Sequence, residues 1–110
     1  MGVDIEVKTQ PELSDFEGVF PPSVYKEIAS SDDKNELFYR YWTMLESAIK
    51  ADGRGLWLID SKVVQIENGN IVINGKTWFS SKLNINPLIS CNISSERENK
   101  TTEVLILNSV

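Results

Sequence analysis

The stretch Lys62-Val63-Val64-Gln65-Ile66-Glu67-Asn68-Gly69-Asn70-Ile71-Val72-Ile73-Asn74-Gly75-Lys76-Thr77-Trp78-Phe79 decides the fold. Two Asn-Gly pairs stand between short runs of β-branched and aromatic residues. Asn and Gly tolerate the positive φ that two-residue hairpin turns demand. The pattern therefore predicts three antiparallel strands, over 62–67, 71–73 and 76–79.

Toward the C-terminus, Pro87 limits a loop. Leu88–Ile93 and Glu103–Leu107 read as two more strands, joined by an exposed polar connection over Ser94–Thr102. On the other side, Leu56-Trp57-Leu58-Ile59 is a short apolar run of strand type. Before it, Leu37, Phe38, Tyr41, Trp42, Leu45, Ala48 and Ile49 recur at helical spacing and predict a helix over about residues 33–51. Ser31 or Asp32 suits its N-cap, and Gly53 suits the residue past its end. Pro21-Pro22-Ser23 opens a shorter helix carrying Val24, Tyr25 and Ile28, with Ser23 available as a cap. Residues 9–20 form a loop whose Leu13, Phe16, Val19 and Phe20 should pack onto the domain. Val3, Ile5 and Val7 alternate with Asp4, Glu6 and Lys8, which predicts a half-buried strand with a charged outer face.

The expected architecture is a single α+β domain over residues 1–110. An antiparallel meander sheet of five to six strands would carry one long and one short helix on one face. A chain of 110 residues is one domain in length and can bury a core without staples.

Net charge is −5, unevenly spread: residues 1–55 hold 11 acids and 6 bases, residues 56–110 hold 5 of each. Phosphate backbones repel such a surface, so nucleic acid is not an expected ligand. No apolar run approaches the roughly 20 residues that span a bilayer. The start of the chain lacks the basic and apolar regions of a signal peptide. The lone Cys91 has no internal disulfide partner, which fits a reducing compartment, and a cytoplasmic location is expected.

There is no histidine, so the commonest general base and the commonest transition-metal ligand are missing. Cys91 reads as a buried, inert thiol. Ser61-Lys62 and Ser81-Lys82 are neighbours on strands and point to opposite faces. Asp52-Gly53-Arg54-Gly55 lacks the length of a phosphate loop and reads as a helix stop. Asp4 and Glu6 share a strand face, and Asp32 and Asp33 lie at a helix start. Each pair has the chemistry of an acid/base couple or a hard-cation site, but solvated charge and capping account for both. A carboxylate-lined small-molecule pocket would need two acids converging with aromatics, for example Asp60 and Glu67 near Trp57. No catalytic residue, cofactor or metal site is expected from these signals.

Aromatic residues supply the remaining lead. Trp78 and Phe79 are consecutive on a strand, so one of them should face outward. Tyr39 lies about 100° round the helix from Phe38. With Asp15, Glu17, Asp32, Asp33 and Glu36, the aromatic residues Tyr39 and Trp78 would make an acidic, partly aromatic surface for a basic protein partner. Reversing charge at Asp32 and Asp33 should weaken such capture and leave the fold intact. The expected function is a non-catalytic module that neutralises or regulates a partner such as a toxin or a host-defence component. Bacterial immunity proteins and phage-encoded inhibitors share this general character, without an alignable stretch. The alternatives are an assembly subunit pairing through a sheet edge, or a small-molecule-binding domain.

Overall fold

A computed structural model describes residues 1–53, 55 and 64–97. Its elements are β1 (Gly2–Val7), α1 (Pro22–Ser30), α2 (Lys34–Asp52), β2 (Val64–Glu67), β3 (Asn70–Ile73), β4 (Lys76–Asn86) and β5 (Ile89–Ser95), with a 3₁₀ turn at Leu13–Phe16. The strands form one sheet in the order β1-β5-β4-β3-β2. All neighbouring strands are antiparallel. This is the expected α+β architecture. The expected strands at Leu56–Ile59 and Glu103–Leu107 lie outside the described residues, as do Trp57 and Asp60.

Both Asn-Gly turns form as their chemistry requires. Asn68 and Gly69 have φ of 53° and 76°, and Asn74 and Gly75 have 51° and 83°. β4 is much longer than the expected 76–79 and turns into β5 at Pro87-Leu88. Ser94 was expected in an exposed connection, but it is fully buried within β5.

α2 is set by its two ends. Asp33, not Ser31 or Asp32, is the N-cap: its Oδ1 accepts from the Glu36 amide at 3.1 Å. Ser31 supports the entry by accepting from the Asp33 amide at 3.1 Å. Gly53 adopts φ 82° past the last turn, and its amide donates to Ile49 O at 3.1 Å. Charge reversal at Asp33 is therefore not neutral to the fold, because a lysine there cannot accept this bond. Asp33→Ala should cost about 1 kcal/mol in denaturant unfolding. A cost indistinguishable from zero would remove the cap from the account. In α1, Pro21 is the N-cap and Ser23 falls inside the first turn without capping.

Ile28, Phe38, Leu45, Ala48, Ile49, Ile71, Ile73 and Trp78 make the core between the helices and the sheet. Leu13, Phe16 and Val19 pack against this core from the loop, as expected, and Phe20 is buried within it. Phe16 meets Phe38 edge-on at 4.7 Å, and Phe38 stacks on Trp42 at 6.1 Å.

β1 is oriented opposite to expectation. Its apolar residues Val3, Ile5 and Val7 are 42%, 58% and 66% exposed, while Asp4 is 2% exposed. The cause lies in α2, whose face toward β1 and β5 is polar. Ser47 Oγ pairs with Ser94 Oγ at 2.7 Å and accepts from Asn92 Nδ2 at 2.8 Å. Thr43 Oγ1 lies 3.1 Å from Ser90 Oγ. Asp4 stands opposite Asn92 and Glu6 opposite Ser90, so β1 turns its polar side into this seam. Gly2 makes the close approach possible: a Cβ there would lie 2.0 Å from Ser47 O.

Candidate functional site: an acidic centre between β1 and α2

Asp4 and Glu6 occupy alternate positions of β1, and Lys8 follows just past its end, so all three share the side facing α2. On α2, Trp42, Glu46 and Lys50 are spaced four residues apart and line one side over successive turns. The two rows meet. Lys50 Nζ donates to Asp4 Oδ1 at 2.7 Å and lies 3.4 Å from Val3 O. The Asp4 side chain is 3% exposed, and its Oδ2 is buried with no hydrogen-bond partner among the described residues. A buried carboxylate oxygen without a partner is costly, so it calls for one: the neighbouring Glu6 carboxyl when protonated, or a ligand group or ion.

The electrostatics agree. Burial raises the Glu6 carboxyl above its ordinary range, and the Asp4 charge adds to the effect. Burial also raises Glu46, with Asp4 and then Glu6 contributing. The hydrogen bond to Asp4 raises Lys50, which stays firmly charged. Three carboxylates thus gather round one ammonium, a partly desolvated negative excess. Such a centre can take up a proton, or neutralise and orient a group of opposite charge.

All donors here are hard carboxylate oxygens, the chemistry of a divalent cation such as Mg²⁺. As they stand, no three His, Cys, Asp or Glu side chains among the described residues converge closely enough to hold an ion. Asp4 Oδ1 is committed to Lys50, which leaves Oδ2 as the open donor.

The Asp4–Glu6 pair, expected to face solvent, is turned inward by the inverted strand. Glu46 and Lys50 were not read as site residues. Their signal was present: Thr43, Glu46 and Ser47 are polar residues buried in the helix.

The residues expected to form a partner surface are dispersed in their environments. Asp15, Glu17, Asp32 and Asp33 are exposed. Tyr39 is only 6% exposed: its hydroxyl lies 2.8 Å from Thr9 Oγ1 and accepts from the Thr9 amide at 3.1 Å. Trp78 is 3% exposed and belongs to the core, with Lys76 Nζ 4.6 Å from its ring centroid. Phe79, on the opposite side of the strand, is half-buried. Neither Tyr39 nor Trp78 has the exposure expected of it.

Glu36 is half-buried and bonded to both Lys8 and Lys82, so it adds little acidity to the surface. The Lys8 hydrogen bond holds its carboxyl below the ordinary 4.5. A lowered carboxyl stabilises the fold above that value, and the contribution is lost as pH falls through the folded-state value. Glu36→Gln should therefore lower stability modestly near neutrality and flatten the acid side of a plot of stability against pH, the two proteins converging in acid. An unchanged acid limb would contradict the pairing. Cys91 is buried, with its thiol raised by burial, as an inert core cysteine should be.

Comparison with known proteins supplies the context for this centre. Residues 1–100 match the 4'-phosphopantetheinyl transferase superfamily. The chain is 38% identical over 77 residues to the 4'-phosphopantetheinyl transferase ffp of Bacillus subtilis, covering 66% of this chain and 34% of that protein. It is 36% identical over 78 residues to the 4'-phosphopantetheinyl transferase Sfp of Bacillus subtilis strain 168, with 66% and 34% covered. The chain thus matches about a third of the length of these relatives. A transferase family overturns the expectation of a non-catalytic inhibitor, and with it the immunity-type role and the toxin partner. The absence of histidine argued only against histidine chemistry, and phosphoryl transfer can run on carboxylates and a lysine. On the match over residues 1–100, the chain belongs to the 4'-phosphopantetheinyl transferase superfamily.

Proposed function

We propose that this chain carries the acidic centre of a 4'-phosphopantetheinyl transferase that moves the phosphopantetheinyl group from coenzyme A to a carrier protein. The observation that carries the reading is the buried, unpartnered Asp4 Oδ2 beside Glu6, Glu46 and Lys50. In this transfer the phosphoanhydride bond of coenzyme A breaks, adenosine 3',5'-bisphosphate leaves, and a phosphoester to an acceptor hydroxyl forms as that hydroxyl gives up its proton. The reaction needs an activated acceptor and neutralised phosphate charge.

Each residue has a role that suits its environment. Lys50 sets a fixed positive charge against the phosphate, held in place by Asp4. Glu46, beside Asp4 and Lys50 and with its proton affinity raised by burial, is suited to take the acceptor's proton as the new bond forms. Asp4, through Oδ2, and Glu6 are the residues that would hold a divalent cation, since such an ion is commonly bound by one or two carboxylates together with substrate phosphate. Such a cation supplies phosphate neutralisation and lets the carboxylates ionise together.

A cytoplasmic location belongs to the same reading, since coenzyme A is the donor and the lone buried thiol stays reduced there. Among the described residues no helix is long and apolar enough to cross a membrane.

The test is steady-state transfer from coenzyme A to an apo carrier protein, with Mg²⁺ and with a chelator. Transfer that is abolished by the chelator is expected. No transfer under either condition would overturn the proposal.

A further inference from the structure

Lys8 continues the inward-facing row of β1 one step beyond Glu6, about 7 Å along the strand. Here the sign of the charge changes. Lys8 Nζ bonds Glu36 Oε2 and donates to Pro87 O at 3.0 Å, and its side chain is only 14% exposed. Lys82, on β4, donates to the other Glu36 oxygen at 3.2 Å. The two ammonium groups thus share one carboxylate and leave a net positive charge. They line an open pocket of about 380 Å³ with Asn84 and Asn86.

Apolar side chains surround the opening. Ile85 lines the pocket itself and is 58% exposed. Leu88, whose carbonyl accepts from the Lys8 amide at 2.8 Å, is 68% exposed. A charged anchor point beside exposed apolar residues is the make-up of a protein-binding patch.

We infer that the pocket between β1 and the β4–β5 turn docks an acidic side chain of the acceptor protein, with Ile85 and Leu88 covered by apolar neighbours of that acid. Glu36 occupies the place of the incoming carboxylate and competes with it. The inference rests on the proposed transferase reading and adds a determinant of acceptor choice to it. Charge complementarity favours a protein acid, because a carboxylate matches the single positive excess. Lys8 in the pocket wall stands two residues along the chain from Glu6, which places the pocket toward the same end of the β1–α2 seam.

Two variants with opposite expected signs test this. Lys82→Glu should raise the acceptor KM about tenfold and leave the KM for coenzyme A within about twofold. Glu36→Gln should lower the acceptor KM, because both lysines are released to the partner. A purely structural role for the trio would not lower it. Reversing one acidic residue of the acceptor to lysine should restore binding to the Lys82→Glu variant. A raised KM for coenzyme A with an unchanged acceptor KM would overturn the inference in favour of a donor phosphate subsite. An unchanged acceptor KM in both variants would overturn it outright while leaving the transferase reading intact. Absence of transfer by the wild-type protein would overturn the transferase reading itself, and this inference with it.

Discussion

Asp4→Asn is expected to lower the rate of phosphopantetheinyl transfer by about a hundredfold or more. The substitution keeps the size of the side chain and removes its charge. Asp4 is the most enclosed acid of the centre, and it holds Lys50 at 2.7 Å. The loss therefore strikes twice: an oxygen available to a cation disappears, and the ammonium of Lys50 loses its charged partner. The fold should persist, because the exposed end of Lys50 can turn to water and an amide can still bond it. A far-UV spectrum and unfolding midpoint close to wild type, with transfer lost, would be the expected pair of results. Transfer within a few-fold of wild type would remove Asp4 from the reaction.

Gly2→Ala is expected to destabilise the protein by about 3 kcal/mol and to impair transfer as well. The added Cβ would meet backbone atoms, at 2.0 Å from Ser47 O and 2.5 Å from Ala51 N. Backbone cannot rotate aside as a flexible side chain can, so β1 and α2 must separate. Asp4 lies only two residues along β1 and moves with it, away from Lys50 and Glu46. Gly18, with no atom near an added Cβ, is the control: Gly18→Ala should leave both stability and transfer near wild type. Equal behaviour of the two variants would show that the helix and the strand do not approach as described.

Much of the fold was legible. The Asn-Gly turns forced positive φ, the helical spacing placed α2, and Gly53 closed it. All three are local signals whose physics acts within a few residues. The orientation of β1 was not local. Alternation established that Val3, Ile5 and Val7 share a side, but not which side faces the helix. The common rule puts the apolar side inward. Here the helix offered Thr43 and Ser47, and β5 offered Ser90, Asn92 and Ser94, so the acids turned inward instead. The same limit applied to Trp78 and Phe79, whose opposite faces were certain and whose assignment needed the layer above. Tyr39 was misjudged because α2 buries a wide arc, and its hydroxyl is satisfied by Thr9 from outside the helix.

The candidate site was half legible for the same reason. Asp4 and Glu6 were visible as a pair on a strand. Glu46 and Lys50 were visible as a spacing on a helix. Only the approach of the two elements, set by Gly2 and the polar seam, joins them into one centre.

The central claim is that the acids and lysine between β1 and α2 perform the transfer. Intact-mass measurement of an apo carrier protein, after incubation with coenzyme A and Mg²⁺, tests it most directly. The wild-type protein should add the mass of one phosphopantetheinyl group, and Glu46→Gln should add none over the same time. No gain with wild type, or an equal gain with Glu46→Gln, would contradict the account.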